Sequence, residues 1–268
     1  MKALKQNKVH LFFSVIIALA IVFNACETEE TPTAPEIPDI STFQMDFSDF
    51  QGDPGTSKME TYQNWTYSAV HVGVWNLIVT LGMAVPVVSF VEAFNHEPVY
   101  HPDNQTFTWS YNFNVLLTPF EAELAAWFEG DSIHWRMNMT QGQAYSDFTW
   151  YTGVSHINGS GGYWILNEKP LNPNALLKID WAKENSEVGS IKYTNIIPEG
   201  PENGGYIHYG LVDGDLDAFY NIYNKGADKM VNIEWNREFK NGRVKSEADF
   251  LDNLWHCWDT TLADIECN

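Results

Sequence analysis

From Thr61 to Val91 the chain carries no Asp, Glu, Lys or Arg, although its formal net charge is −20. A stretch that apolar in so acidic a chain must be hidden by something, and that requirement limits every fold open to the rest. Ser57-Lys58-Met59-Glu60 fits the S-x-x-E pattern in which two side chains satisfy the free N–H groups of a first helical turn. Met59, Tyr62, Thr66, Val70, Val74, Leu77 and Leu81 then recur at spacings of three and four. The opposite side carries Tyr67, Val72, Trp75, Ile78 and Val79, so a helix here is apolar nearly all round, which points to burial in a core or a membrane. Pro86 lacks an N–H and crowds the preceding turn, which predicts a kink near Gly82 and an overall helical span of 58–94. About 20 apolar residues suffice to cross a bilayer. His71, Asn76 and Thr80 interrupt this surface, however, and its flanks are poor in Lys and Arg. The expectation is a buried helix that plugs a β-sheet domain.

The chain has 268 residues, 44% of them hydrophobic and 15% aromatic, enough for one sizeable core. Its acidity argues against a nucleic-acid partner, because phosphate backbones repel it. Residues 1–25 have a basic start, an apolar run from Leu11 to Phe23 and a small Ala25, the pattern of a secretory signal. Phe23-Asn24-Ala25-Cys26 resembles the lipobox of bacterial lipoprotein precursors, matching at Ala25 and Cys26 and departing at Phe23 and Asn24. Glu27-Thr28-Glu29-Glu30 resembles the acidic export signal of Bacteroidetes-type surface lipoproteins. The resemblance implies a lipid anchor on Cys26 and a place at the outer membrane or cell surface. Pro32, Pro35 and Pro38 make residues 26–40 an extended tether, leaving 41–268 as one domain. Phe43, Met45 and Phe47 alternate with polar residues and read as a first edge strand.

Beyond Thr106 the pattern is one of β-strands. Phe107, Trp109, Tyr111 and Phe113 alternate with polar residues, as do Ile133, Trp135, Met137 and Met139. Similar short runs follow to the C-terminus without intervening helices. The fold class expected is mainly β (α+β): an antiparallel up-and-down meander, barrel or half-barrel, packed on the one long helix. Asp213-Gly214 and Asn241-Gly242 are the residue pairs that two-residue hairpin turns prefer. Cys257 and Cys267, in an extracytoplasmic setting, predict a disulfide. The layout is similar to the lipoprotein-sorting (LolA/LolB-like) half-barrels, in which helices close an apolar concave sheet. That resemblance rests on layout alone and implies acyl chains bound between helix and sheet.

Chemistry-bearing patterns are sparse. His96-Glu97-Pro98-Val99-Tyr100-His101 misses the zinc-protease spacing by one residue, and Pro98 breaks the helix the motif needs. Asp213, Asp215 and Asp217 begin like a calcium loop but lack its glycine and its bidentate Glu, so they are weak metal candidates. His134, His156, His208 and His256 each fall on a predicted strand, and Glu121 and Glu123 share a strand face. No catalytic residue and no cofactor is expected. Trp75, Trp109, Trp135, Trp181 and Trp235 are the expected walls of a ligand cavity beside the helix. The partners expected are a membrane through the anchor and an apolar ligand or a protein. A glycan-binding module of a nutrient-uptake system and a secreted hydrolase are the alternatives, the first requiring a bare row of aromatic rings on one sheet face.

Overall fold

A computed structural model describes residues 31–52, 61–185 and 187–267. The signal segment, Cys26, the acidic tetrad after it and the Ser57–Glu60 cap lie outside the described residues. From Ala34 onward the chain forms one unit built on a single antiparallel sheet whose strands follow chain order. The strands are β1 Val99–His101, β2 Thr106–Val115, β3 Thr118–Glu129, β4 Ser132–Gln141, β5 Tyr145–His156, β6 Gly161–Lys169 and β7 Asn172–Glu184. They continue as β8 Glu187–Asn195, β9 Tyr206–Leu211, β10 Ala218–Asn224, β11 Lys229–Trp235, β12 Gly242–Lys245, β13 His256–Trp258 and β14 Asp264–Ile265. The sheet is an open meander: β1 and β14 are its edges and do not meet, so it is not a closed barrel. Both edges are only a few residues long, which limits unwanted pairing with other chains. The alternation read in the sequence is the alternation of burial, with Ile133, Trp135, Met137 and Met139 inside on β4 and Phe107, Trp109, Tyr111 and Phe113 inside on β2.

Because every connection reverses direction, the turns after β2, β4, β6, β8 and β10 share one end of the sheet. Those after β3, β5, β7, β9 and β11 share the other. Glu129 pairs with Ser132 across Gly130-Asp131, and Gly130 takes a positive φ of 58° there. The two turns expected to be tight are not. Asp213-Gly214 lies within the loop 212–217, and Gly242 is inside β12, paired with Trp235. A side chain at Gly242 would stand 2.4 Å from the Trp258 ring and 2.5 Å from the Glu234 carbonyl oxygen, so the glycine serves close packing there. The loops 212–217 and 236–241 instead fasten to each other: Asp217 accepts from the Arg237 backbone N–H (2.8 Å), and Asn236 Nδ2 donates to the Asp215 carbonyl (2.7 Å).

The expected long helix is two helices, α1 Gln63–Gly82 and α2 Ala84–Ala93, set at 66°. Met83 leaves the helical region (φ −110°, ψ 6°), so the break precedes Pro86 by a turn. Pro86 has no N–H to give the Gly82 carbonyl, and its ring crowds that carbonyl. As the third residue of α2 it occupies a first turn, where no N–H is needed. The α1 start is held from far along the chain: the Asp264 carboxylate accepts both the Gln63 and the Asn64 N–H, each at 2.9 Å. The larger correction concerns burial. Trp65, Ser68, Val72 and Val79 of α1 are buried, but Val70, Val74, Leu77, Ile78 and Leu81 are between 53% and 73% exposed. Hydropathy all round a helix states what the helix would gain from cover; here the sheet covers one side. Among the described residues no single helix is long and apolar enough to cross a membrane.

The segment that does plug the sheet is one the sequence reading made an edge strand. Residues 40–50 form two short 3₁₀ turns, Ile40–Thr42 and Ser48–Phe50, and no strand. Phe43, Met45 and Phe47 between them, and Phe50 in the second, are buried, each gaining about 1.5–3 kcal/mol from leaving water. Sheet side chains meet the segment's polar groups. Tyr193 accepts from the Met45 N–H (2.6 Å) and donates to the Phe43 carbonyl (3.1 Å), and the Tyr220 hydroxyl donates to the Asp46 carbonyl (2.8 Å). Trp235 Nε1 donates to Asp49 (2.9 Å), which also pairs with Lys240. Phe43 stacks on Phe90 of α2 (4.8 Å), so plug and helix share one core. Ala34, Ile37 and Ile40 also rest against that core, within the stretch read as tether.

Candidate functional site

The site grows from α1 lying across the ends of strands. Val74, Trp75, Ile78, Val79 and Gly82 of α1, with Met83 at the break, form one wall of a cavity of about 350 Å³. Leu166 of β6, Leu176 and Leu177 of β7 and Ile222 of β10 form the other. Leu166 and Leu177 are paired neighbours in the sheet, which sets two isobutyl groups side by side. The polar groups are His71 on the helix and Asn195, Glu202, Tyr223 and Asn224 on the sheet side, Asn195 being the cross-strand partner of Leu177. This size and balance suit a small, largely apolar ligand.

A second cavity of about 300 Å³ continues along α1 toward its N-terminus, sharing His71, Ile222 and Asn224 with the first and adding Tyr67, Lys229 and Asp249. Its chemistry is that of ions. Lys229 Nζ reaches Asp249 Oδ1 at 2.6 Å, and the Tyr67 hydroxyl donates to Oδ2 at 2.7 Å. Those two bonds, Lys229's first, hold the Asp249 carboxyl below the usual carboxylate range. Burial is the main cause that raises the Tyr67 phenol, so it stays a donor. The Tyr67 ring lies against His71 (4.3 Å) and Phe250 (4.9 Å), and the His71 Nδ1–H donates to the Tyr67 carbonyl oxygen (2.9 Å).

Of the five tryptophans expected around a cavity, only Trp75 lines it. Trp109, Trp135, Trp181 and Trp235 are packed into the core instead; Trp135 Nε1 donates to Ser155 Oγ (2.9 Å) and Trp235 is held by Asp49. The walls are aliphatic because the cavity sits at the strand ends, beyond the aromatic layer. Leu176-Leu177, two consecutive apolar residues where alternation would place one, was the available sequence signal. Asp213, Asp215 and Asp217 do not converge: Asp217 is committed to Arg237, with Nε at 3.0 Å, and the Asp215 carbonyl to Asn236. The histidines likewise have separate partners: His96 has Glu92, His101 Thr108, His134 Glu129, His156 Ser160, His208 Ser190 and His256 Asp252. Among the described residues no group of three His, Cys, Asp or Glu could hold a metal. Cys257 and Cys267 form a disulfide, with Cα atoms 5.3 Å apart.

Asp39, Asp249, Asp252 and Asp259 all have carboxyls lowered chiefly by hydrogen bonds donated to them, the wrong direction for a general acid. Glu121 and Glu123 line a shallow polar depression on the outer face with Asn138 and Asp147. A charged opening of about 510 Å³ beside the plug is lined by Asp39, Asp46, Lys183, Glu187 and Arg237 among others. On the outer face several rings are capped by cations: Lys192 sits over Tyr206 at 3.9 Å, Lys178 over Tyr163 at 5.0 Å and Arg243 over Trp255 at 4.4 Å. A sugar-stacking platform would need such rings bare. Comparison with protein-family models, with curated proteins and with solved structures returned no match.

Proposed function

We propose that this chain is a non-catalytic envelope or surface lipoprotein, anchored through an acyl group on Cys26, that shelters an apolar ligand between α1 and the sheet. In this reading the bent pair of helices is the part of the fold that closes over the ligand. The observation that carries it is the cavity beneath α1, walled chiefly by Val79, Met83, Leu166, Leu176 and Leu177. Native mass spectrometry of the protein purified from its own cells tests it. The expected result is a retained apolar molecule in addition to the anchor; a mass explained by polypeptide and anchor alone in every preparation overturns it.

One observation favours a protein partner as well. Val70, Val74, Leu77 and Leu81 repeat at four-three-four on the exposed side of α1, the spacing with which one helix meets another. The occupant that spacing suits is an amphipathic helix of a partner protein. Crosslinking from position 77 in intact cells should then recover one discrete adduct, lost in Leu81→Lys, which lies outside the cavity wall; recovery of lipid alone would dismiss the partner.

A further inference from the structure

The two ends of the sheet differ in what they show to solvent. Every connection reverses direction, so the one after β12, residues 246–255, falls at the same end as those after β2, β6 and β10, the end that α1 lies across. Leu116 and Leu117 in the turn after β2, Leu171 in the turn after β6 and Leu251 after β12 are each between 88% and 97% exposed. Among the described residues no other large apolar side chain is so bare, and at the opposite end the most exposed is Phe239, at 57%. The turns of that opposite end carry Asp131, Asp213, Asp215, Glu238 and Asp259, whereas those at 116–117 and 142–144 hold no charge. A single bare leucine on a surface is ordinary; four gathered at one end of a sheet are a pattern.

Two of the four also break a local rule. Leu116 and Leu117 make a two-residue hairpin turn, with Val115 paired to Thr118 across it, where Asn-Gly is the preferred pair. Leu116 takes φ 55° there, and Leu251, which ends the short helix Glu247–Phe250, takes φ 62°. A leucine in the left-handed region is strained where glycine or asparagine is not. In water these side chains bury nothing that would offset the strain, so it points to something outside the chain that the leucines meet.

Their spacing selects the partner. The turns after β2, β6 and β12 lie four and then six strands apart, about 19 and 29 Å along the sheet. A helix laid along α1 leaves them bare, and a folded protein would need a matching pocket for each. A fluid apolar surface needs none. The proposed anchor brings one within reach: from Cys26 to Ala34, which rests against the core, the chain spans at most about 29 Å.

Resting on the proposed lipid anchor, we infer that this end of the sheet docks on a bilayer surface, with Leu116, Leu117 and Leu171 inserted among the lipids. Leu251, beside Glu247 and Asp252, rides at the level of the head groups. The net charge of −20 makes a zwitterionic surface the fitting one. Full-length protein isolated from its own membranes is reconstituted in phosphatidylcholine vesicles with brominated acyl chains. Each sample carries one nitrobenzoxadiazole label, at Leu117→Cys, at Leu171→Cys or, at the opposite end, at Asp213→Cys. The bromines should quench the labels at 117 and 171, which sit about 5–10 Å deep, and spare the one at 213. Leu116→Asn with Leu117→Gly, the pair the turn prefers, should lower the quenching at 171 while the unfolding midpoint holds or rises. Labels at 117 and 171 no more quenched than the one at 213 overturn the docking end and, on an acylated chain, leave the leucines to a protein partner. A midpoint that falls in the turn variant overturns it as well, because the leucines would then be serving the fold. The mass of the Cys26 peptide reports the anchor separately: an unacylated chain whose labels are still quenched on mixing with vesicles keeps the docking end and loses the anchor.

Discussion

The plug at residues 40–50 and the helical elbow at 63–93 invite direct comparison, since each fills a space left by the same sheet. The elbow is the more apolar by composition and the less covered; the plug carries Asp46 and Asp49 yet its aromatic side chains are buried. The difference lies in how the backbone is held. Plug carbonyls and N–H groups are taken up by side chains of β8 and β10, so the plug cannot leave without stranding Tyr193 and Tyr220. The elbow satisfies most of its backbone internally; side chains of the sheet reach it at the α1 start, through Asp264, and in α2, where the Ser89 carbonyl accepts from the Tyr111 hydroxyl. Between those two ties, from Val70 to Leu81, α1 has an exposed apolar side.

The strongest attack on this contrast is Phe43→Ala, expected to cost about 3–5 kcal/mol in denaturant unfolding, because the ring is fully buried among Phe90, Tyr151 and Trp164. Next comes Tyr193→Phe, which strands the Met45 N–H and the Phe43 carbonyl at a cost of about 1–3 kcal/mol. Asp264→Ala, which leaves the first two α1 N–H groups without their carboxylate, should cost about 0.5–2 kcal/mol. Hydrogen exchange should quicken in α1 and not in residues 43–46. Acid should loosen the α1 contact with Asp249 without any mutation, and in the plug only the Asp39 cap at its start. The Asp249 pKa is lowered in the folded state, so its contribution is complete above the usual carboxylate value of about 3.9 and is lost as pH falls through the lower folded value. Protection of α1 should therefore fade in strong acid. The bonds from Tyr193, whose phenol is raised chiefly by burial, stay un-ionised and unchanged. The smallest effect is expected for Leu81→Ala, within about 0.5 kcal/mol, since that side chain is mostly in solvent. A cost approaching that of Phe43→Ala would erase the distinction between the regions.

The strands were legible because burial on one face writes itself into every second residue, as in Ile133 to Met139. The pairing Cys257–Cys267 was legible because these are the two cysteines left once Cys26 is read as the anchor. The plug was not, because Phe43-x-Met45-x-Phe47 has the period of a strand, and what holds it otherwise are hydroxyls about 150 positions away. The exposure of α1 was not legible either: apolar residues on both sides of a helix do not say which side finds a neighbour. Asp213-Gly214 and Asn241-Gly242 misled for a tertiary reason, the mutual locking of their loops and the indole of Trp258 against Gly242. At the cavity, Trp75 was reachable from the sequence, but Leu166 and Leu177 become neighbours only through the register of β6 and β7.

The grip of Asp264 on residues 63 and 64 has a consequence for the order of events in a living cell. Synthesis proceeds from the N-terminus, so the greasiest stretch emerges about two hundred positions before its clasp, and the Cys257–Cys267 crosslink encircles that clasp only at the end. Until then the stretch needs a chaperone's custody, and a chain cut short before Asp264 is one that never latches.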